Sequence, residues 1–258
     1  MVRIEHLIEE VEKMAELQVK NLKKQINGQN ILNINSVTFK NQKIYGIVGP
    51  NGTGKTTFLK CVCGLLIPDQ GEIYIDGKET TNANRAEYLK IIGSVFAQSD
   101  SIFDLTAEEV LEEHYYFFDL RRPKKWQDLL LKVGLDVSPK IKIGDMSLGM
   151  RQRFLLAIAI SHEPQILILD EPFNGLDPDG VQQTKEIMKR FAEKNLVIVT
   201  CHSFSDLEDT VTDVVVMEKG QMGSERSLKE IRKQFEDVLL GFYHHEILSI
   251  ANKKEREK

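Results

Sequence analysis

Gly49-Pro50-Asn51-Gly52-Thr53-Gly54-Lys55-Thr56 is the stretch whose reading decides the fold. It fits the pattern G-x-x-x-x-G-K-[ST] in full. It follows a buried-type strand, Lys43-Ile44-Tyr45-Gly46-Ile47-Val48, and precedes a helix expected from Lys55 to Leu66, ending before Pro68. The glycines let successive backbone N–H groups curl around phosphate oxygens, and the helix N-terminus adds a favourable dipole. In such a loop Lys55 brings a cation to the β and γ phosphates, and Thr56 brings a hydroxyl to Mg²⁺. The candidate nucleotide-binding residues are Gly49, Pro50, Asn51, Gly52, Thr53, Gly54, Lys55, Thr56 and the adjoining Thr57.

Working outward, the run Ile166-Leu167-Ile168-Leu169-Asp170-Glu171 is apolar and ends in two acids. A buried strand can present a carboxylate only at its end, where the ligand crevice of an open α/β sheet lies. Asp170 is the candidate metal ligand, and Glu171 the candidate base that polarises an attacking water. Gln98 follows the expected strand Ile91–Phe96, with reach to the metal or the water. His202 follows the strand Leu196–Thr200, with reach to the γ-phosphate. Between the phosphate loop and the acidic strand lies Ser147-Leu148-Gly149-Met150-Arg151-Gln152-Arg153, leading into a helix expected over Gln152–Ser161.

The remainder reads as an α/β domain with additions. Ile4, Leu7, Ile8 and Val11 recur at helical spacing, so residues 1–14 read as an amphipathic helical extension. Residues 16–48 alternate enough for strands, turned at Asn27-Gly28-Gln29-Asn30. Another strand is expected over Gly71–Asp76. Thr106 and Glu109 form a capping box opening a helix, and Trp126–Val133 is a second helix. No strand is evident in this middle stretch, so residues of about 100–150 are read as a helical subdomain inserted into a sheet domain spanning 15–226. Strands at Ile166–Leu169, Leu196–Thr200 and Val214–Met217 alternate with helices, the rhythm of a parallel sheet covered on both faces. Residues 227–258 form a helical tail ending in a charged, solvated run.

Composition bounds the function. With 258 residues the chain can bury a sizeable core. Its net charge of -5 argues against nucleic acid as the main partner. Cys61 and Cys63, two apart on an expected helix, are placed poorly for a metal pair or a disulfide, and the three cysteines, with Cys201, read as thiols of a reducing compartment. No apolar run approaches the roughly 20 residues that span a bilayer, so the expectation is a cytoplasmic chain that borrows its membrane from another subunit.

The parts stand in the order of a known family, and the chain resembles the nucleotide-binding subunit of an ABC transporter over roughly residues 16–225. The resemblance rests on Gly49–Thr56, Gln98, Ser147–Gly149, Asp170-Glu171, Asn174-Gly175-Leu176-Asp177 and His202. It implies a P-loop NTPase core with a parallel sheet flanked by helices, an N-terminal antiparallel β subdomain and the inserted helical one. It also implies ATP and Mg²⁺, a second ATP-binding subunit paired head to tail, and a transmembrane permease partner. Ser147 and Gly149 would meet the γ-phosphate bound by the other subunit, and Asp177 would communicate across the interface. The chain would then sit in the cytoplasm, peripheral to the inner face of the membrane.

Two departures from the family pattern stand out. The usual signature Leu-Ser-Gly-Gly-Gln is here Met146-Ser147-Leu148-Gly149-Met150, a form resembling the branch that exports drugs and bacteriocin peptides. The adenine-stacking aromatic is replaced by Ile26. The leading expectation is an ATPase that powers export of a peptide, bacteriocin, drug or lipid-like compound. The alternatives are an importer ATPase and a soluble, non-transport ABC ATPase. Against the last stand the short interval between phosphate loop and signature, without sustained heptads, and the single cassette in the chain.

Overall fold

A computed structural model describes residues 16–96, 102–201, 204–235 and 240–247. The expected N-terminal helix, Gln98 and His202 lie outside the described residues. Two sheets and a helical layer make up the fold. The first sheet is antiparallel, in the order β2-β1-β4-β5, from β1 (Leu17–Ile26), β2 (Gln29–Phe39), β4 (Gln70–Ile75) and β5 (Lys78–Glu79). Its first hairpin turns at Asn27 and Gly28, both at positive φ, which suits Asn-Gly.

The second sheet runs β10-β9-β3-β8-β7-β6. Its strands are β3 (Ile44–Val48), β6 (Ile92–Val95), β7 (Ile166–Asp170), β8 (Leu196–Cys201), β9 (Asp213–Glu218) and β10 (Gln221–Met222), and β11 (Arg226–Ser227) pairs with β9. β3, β6, β7, β8 and β9 are mutually parallel, whereas β10 and β11 pair antiparallel to β9.

Alternation along these strands explains why they read as continuous apolar runs. Ile44, Val48, Leu167, Leu169, Val197, Val199, Val214 and Val216 enter one core, shared with the helical layer. Tyr45, Ile47, Ile166, Ile168, Leu196, Ile198, Val215 and Met217 enter another, shared with the antiparallel sheet and with α1 (Lys55–Val62). A strand buried on both faces has no polar side to show. The helices after β5 are α2 (Arg85–Leu89), α3 (Ala107–Phe117), α4 (Trp126–Leu131), α5 (Leu148–Ser161), α6 (Pro178–Ala192), α7 (Phe204–Leu207) and α8 (Leu228–Gln234). Residues 240–247 are also helical.

Several boundaries differ from expectation, each for a local reason. α1 stops at Val62 rather than Leu66, because Gly64 takes a left-handed φ of 63° and the Leu65 N–H turns back to the Lys60 carbonyl. α4 ends at Leu131 rather than Val133, where Gly134 at φ 66° closes the turn. α5 begins at Leu148 rather than Gln152, since Ser147 caps it by accepting from the Met150 N–H. The capping box at Thr106 and Glu109 forms as expected.

Candidate functional site

β3, an interior strand, delivers the phosphate loop at its C-terminal end, and α1 carries the chain away. Gly49 is required by close approach: a Cβ there would lie 2.2 Å from the Met217 carbonyl oxygen. Gly54, the N-cap of α1, adopts φ 105°, which L side chains rarely take. Lys55 is buried, and its Nζ donates to the carbonyls of Gly49 (2.7 Å) and Pro50 (3.1 Å). Burial lowers the Lys55 pKa, while the nearby Glu171 and Asp170 carboxylates oppose that shift. The Thr53 hydroxyl donates to the Pro50 carbonyl at 3.0 Å and braces the loop.

The acidic strand end converges on the same place. Asp170, the last residue of β7, is 8% exposed and accepts through Oδ2 from the Thr56 hydroxyl at 2.8 Å. Its Oδ1 accepts from the Thr200 hydroxyl at 2.7 Å. Thr200 is also fully buried and accepts from the Glu171 N–H at 3.0 Å. Sequence reasoning missed Thr200. Its signal was available: β7 and β8 are parallel and in register, so Asp170 stands opposite Thr200.

Phosphate loop and Glu171 line a cavity of about 460 Å³. Its floor includes Gly52, Gly54, Lys55, Thr56 and Thr57, and the turn after β1 adds Ile26, Asn27, Gln29 and Ile31. Ile26, the residue that replaces the expected stacking aromatic, lines this cavity and is 39% exposed.

Thr56 and Asp170 meet through hard oxygen donors, a set that suits Mg²⁺ shared with phosphates and water. Among the described residues no cluster of three or more His, Cys, Asp or Glu side chains forms a self-sufficient metal cage.

Ser147 and Gly149 are not among the residues lining this cavity. Ser147 is exposed at the N-terminus of α5, and Leu148 beside it is 52% exposed. Leu148 instead leans on Gly175, where an added Cβ would lie 2.3 Å from its Cδ2. The next residues of that loop lead to Asp177, the N-cap of α6, which accepts from the Gly180 N–H at 2.9 Å. Asp177 also accepts from Arg153 Nη2 at 2.8 Å, while Arg153 Nη1 donates to the Gly134 carbonyl at 3.1 Å. Arg153 thus ties α5, the Asp177 loop and the end of α4 together. That role escaped sequence reasoning because its partners come from two distant loops.

Comparison with known proteins agrees with this geometry. A family profile described as ABC transporter matches residues 32–174. An uncharacterized ABC transporter ATP-binding protein, YcbN of Bacillus subtilis, is 34% identical over 84% of this chain and 71% of its own. The bacitracin transport ATP-binding protein BcrA of Bacillus licheniformis is 33% identical, over 84% and 72%. The lantibiotic transport ATP-binding protein SrtF of Streptococcus pyogenes is 33% identical, over 83% and 95%. Among solved structures, an ATP binding subunit of an ABC transporter superposes with TM-score 0.79 at 26% identity, covering 90% of this chain and 99% of that one. The chain belongs to the ABC transporter family, as an ATP-binding subunit. No helix among the described residues is long and apolar enough to cross a membrane.

Proposed function

We propose that this chain hydrolyses ATP as one half of a head-to-tail pair and thereby drives export through a separate membrane permease. The observation that carries this reading is the split of the machinery. Lys55, Thr56 and Glu171 line one cavity, with the buried Asp170 bonded to Thr56, whereas Ser147 and Gly149 do not line it and Ser147 is exposed. A signature that caps its own helix and faces outward is placed to serve a second subunit.

In this scheme the loop amides and Lys55 hold the β and γ phosphates. Thr56 and Asp170 would hold Mg²⁺, which would supply charge neutralisation when bound. Thr200 fixes the second Asp170 oxygen and the backbone of Glu171, so that the Glu171 carboxylate is aimed at the attacking water. Gln98 is assigned to the metal and the water, and His202 to the γ-phosphate. Ser147 and the Gly149 backbone complete the partner's site, and Asp177 faces the same interface. Closing the pair on ATP and releasing it after hydrolysis is the mechanical cycle handed to the permease. In this scheme the subunit works at the cytoplasmic face of the membrane. Kinship with bacitracin and lantibiotic transport proteins supports a peptide cargo.

Glu171→Gln tests the scheme. It is expected to slow turnover by about a hundredfold or more and to trap an ATP-dependent dimer, read by light scattering, where the parent without ATP is monomeric. A variant that stays monomeric at saturating ATP would exclude the homodimeric form of the model. Turnover near that of the parent would remove Glu171 as the base.

A further inference from the structure

The helical layer carries a surface that the ATP cycle does not use. α3 buries Ala107, Leu111 and Tyr115 and ends in Tyr116 and Phe117, which are 82% and 76% exposed. These are the two most exposed large apolar side chains among the described residues. The chain then runs Arg121-Arg122-Pro123-Lys124-Lys125, with all four basic residues exposed. Arg122 pairs with Glu112 at 2.9 Å and keeps 61% of its side chain in solvent. Among the described residues no ion pair engages Arg121, Lys124 or Lys125. Below the run is a groove of about 480 Å³ lined by Arg122, Lys124, Lys125 and Lys140, with Glu108 and Glu112 also bordering it. The run contrasts with a chain whose net charge is -5.

Position keeps this surface clear of the signature. Phe118, which caps α3, stacks on His162 with ring centroids 4.4 Å apart, and His162 caps the C-terminal end of α5. Ser147 caps the other end of the same 14-residue helix. At 1.5 Å per residue the two ends are about 21 Å apart. The length of α5 thus separates the signature at one end from the aromatic pair and the basic run near the other.

We infer that Tyr116, Phe117 and the basic residues Arg121, Arg122, Lys124 and Lys125 form a contact surface for anionic lipid headgroups. Aromatics and arginine also occur in protein–protein interface cores, but lysine is depleted there. A run of four cations that includes Lys124 and Lys125, set beside the amphipathic ring of Tyr116, has instead the composition of the membrane–water boundary. The rings enter the headgroup layer, and the cations meet its negative surface potential. The contact would steady the subunit against the bilayer beside its permease. This inference rests on reading the chain as a subunit that works at a membrane.

Vesicle flotation of the purified full chain, without permease, tests it. The chain is expected to float with vesicles of equimolar phosphatidylglycerol and phosphatidylcholine, to stay unbound with phosphatidylcholine alone, and to dissociate in high salt. Each basic side chain removed should weaken binding about fivefold, so changing Arg121, Arg122, Lys124 and Lys125 together to Ser should abolish it. Tyr116→Ser with Phe117→Ser, at exposed positions, should weaken it while ATPase activity is retained. Three results overturn the inference: no flotation with anionic vesicles, equal loss when exposed Lys78, Lys90, Lys189 and Lys194 are changed to Ser, or patch variants that float normally but no longer co-purify with the permease. ATPase activity measured on the same samples tests the function proposed above separately.

Discussion

Glu171 adopts φ 52°, in the left-handed region that non-glycine residues seldom occupy. Such a backbone persists only where its surroundings over-determine it. Here the surroundings are the Glu171 N–H bonded to Thr200 and the Asp170 carboxylate clamped between Thr56 and Thr200. Ile26 lines the same cavity as Glu171, together with Ile31, Asn27 and Gln29. An aliphatic platform lacks the stacking an aromatic gives a base, and amide side chains can serve as donors or acceptors. The parent is therefore expected to bind ATP and GTP with similar affinity. Ile26→Tyr should tighten both by about 1 kcal/mol or more. Calorimetric titration of the two nucleotides checks this; a parent that strongly prefers ATP would place base recognition elsewhere. The phosphate loop was legible from sequence because each of its requirements is local. Thr200 was not, because it reaches Asp170 only through the pairing of two strands.

Among the elements, the second turn of α5 is tied to the N-cap of α6 by an ion pair. Arg153 on α5 and Asp177 at the cap of α6 set the exposed signature and the Asp177 loop in a fixed relation. The pair is partly solvent-exposed, so Arg153→Ala should cost only about 1 kcal/mol of stability. It should leave nucleotide affinity of the isolated subunit unchanged and lower turnover several-fold, since it loosens what the partner must grip. Melting temperature, nucleotide titration and steady-state ATPase rates check this together. If turnover is unaffected, the pair is structural only. Helix existence was legible here from caps and periodicity. The start of α5 was misjudged by a few residues because Ser147, a capping residue, was weighed for phosphate contact rather than for its bond to the Met150 N–H.

At the scale of the whole molecule, the helical layer meets the edge of the sheet through two imidazoles. His114 on α3 and His162 after α5 have ring centroids 5.3 Å apart, and His162 Nε2 lies 3.2 Å from the Ile92 carbonyl at the start of β6. Burial pushes the His114 pKa down to about 4, helped by the neighbouring His162, and burial also lowers that of His162. Both rings are held neutral in the folded chain, while in the unfolded chain they titrate near the ordinary 6.5. The unfolded state then binds more protons, so this contribution to stability is complete above pH 6.5 and is lost as pH falls toward 4. His114 Nε2 is buried without a hydrogen-bond partner among the described residues. His114→Phe should therefore preserve the stacking and flatten the fall of melting temperature over that range. A slope identical to that of the parent would count against the pair. Nothing in the sequence marked these histidines, because their burial depends on three elements meeting.

The two-faced strands of the parallel sheet have a consequence for how such a protein changes over time. Neighbouring residues on each strand answer to different cores, one beneath the nucleotide and one beneath the helical layer. β3 contributes to both, Val48 to the core shared with the helical layer and Ile47 to the other, so the loop that begins at Gly49 is braced from both sides. A substitution in either core therefore reaches the phosphate loop, and neither half of the molecule changes independently of it.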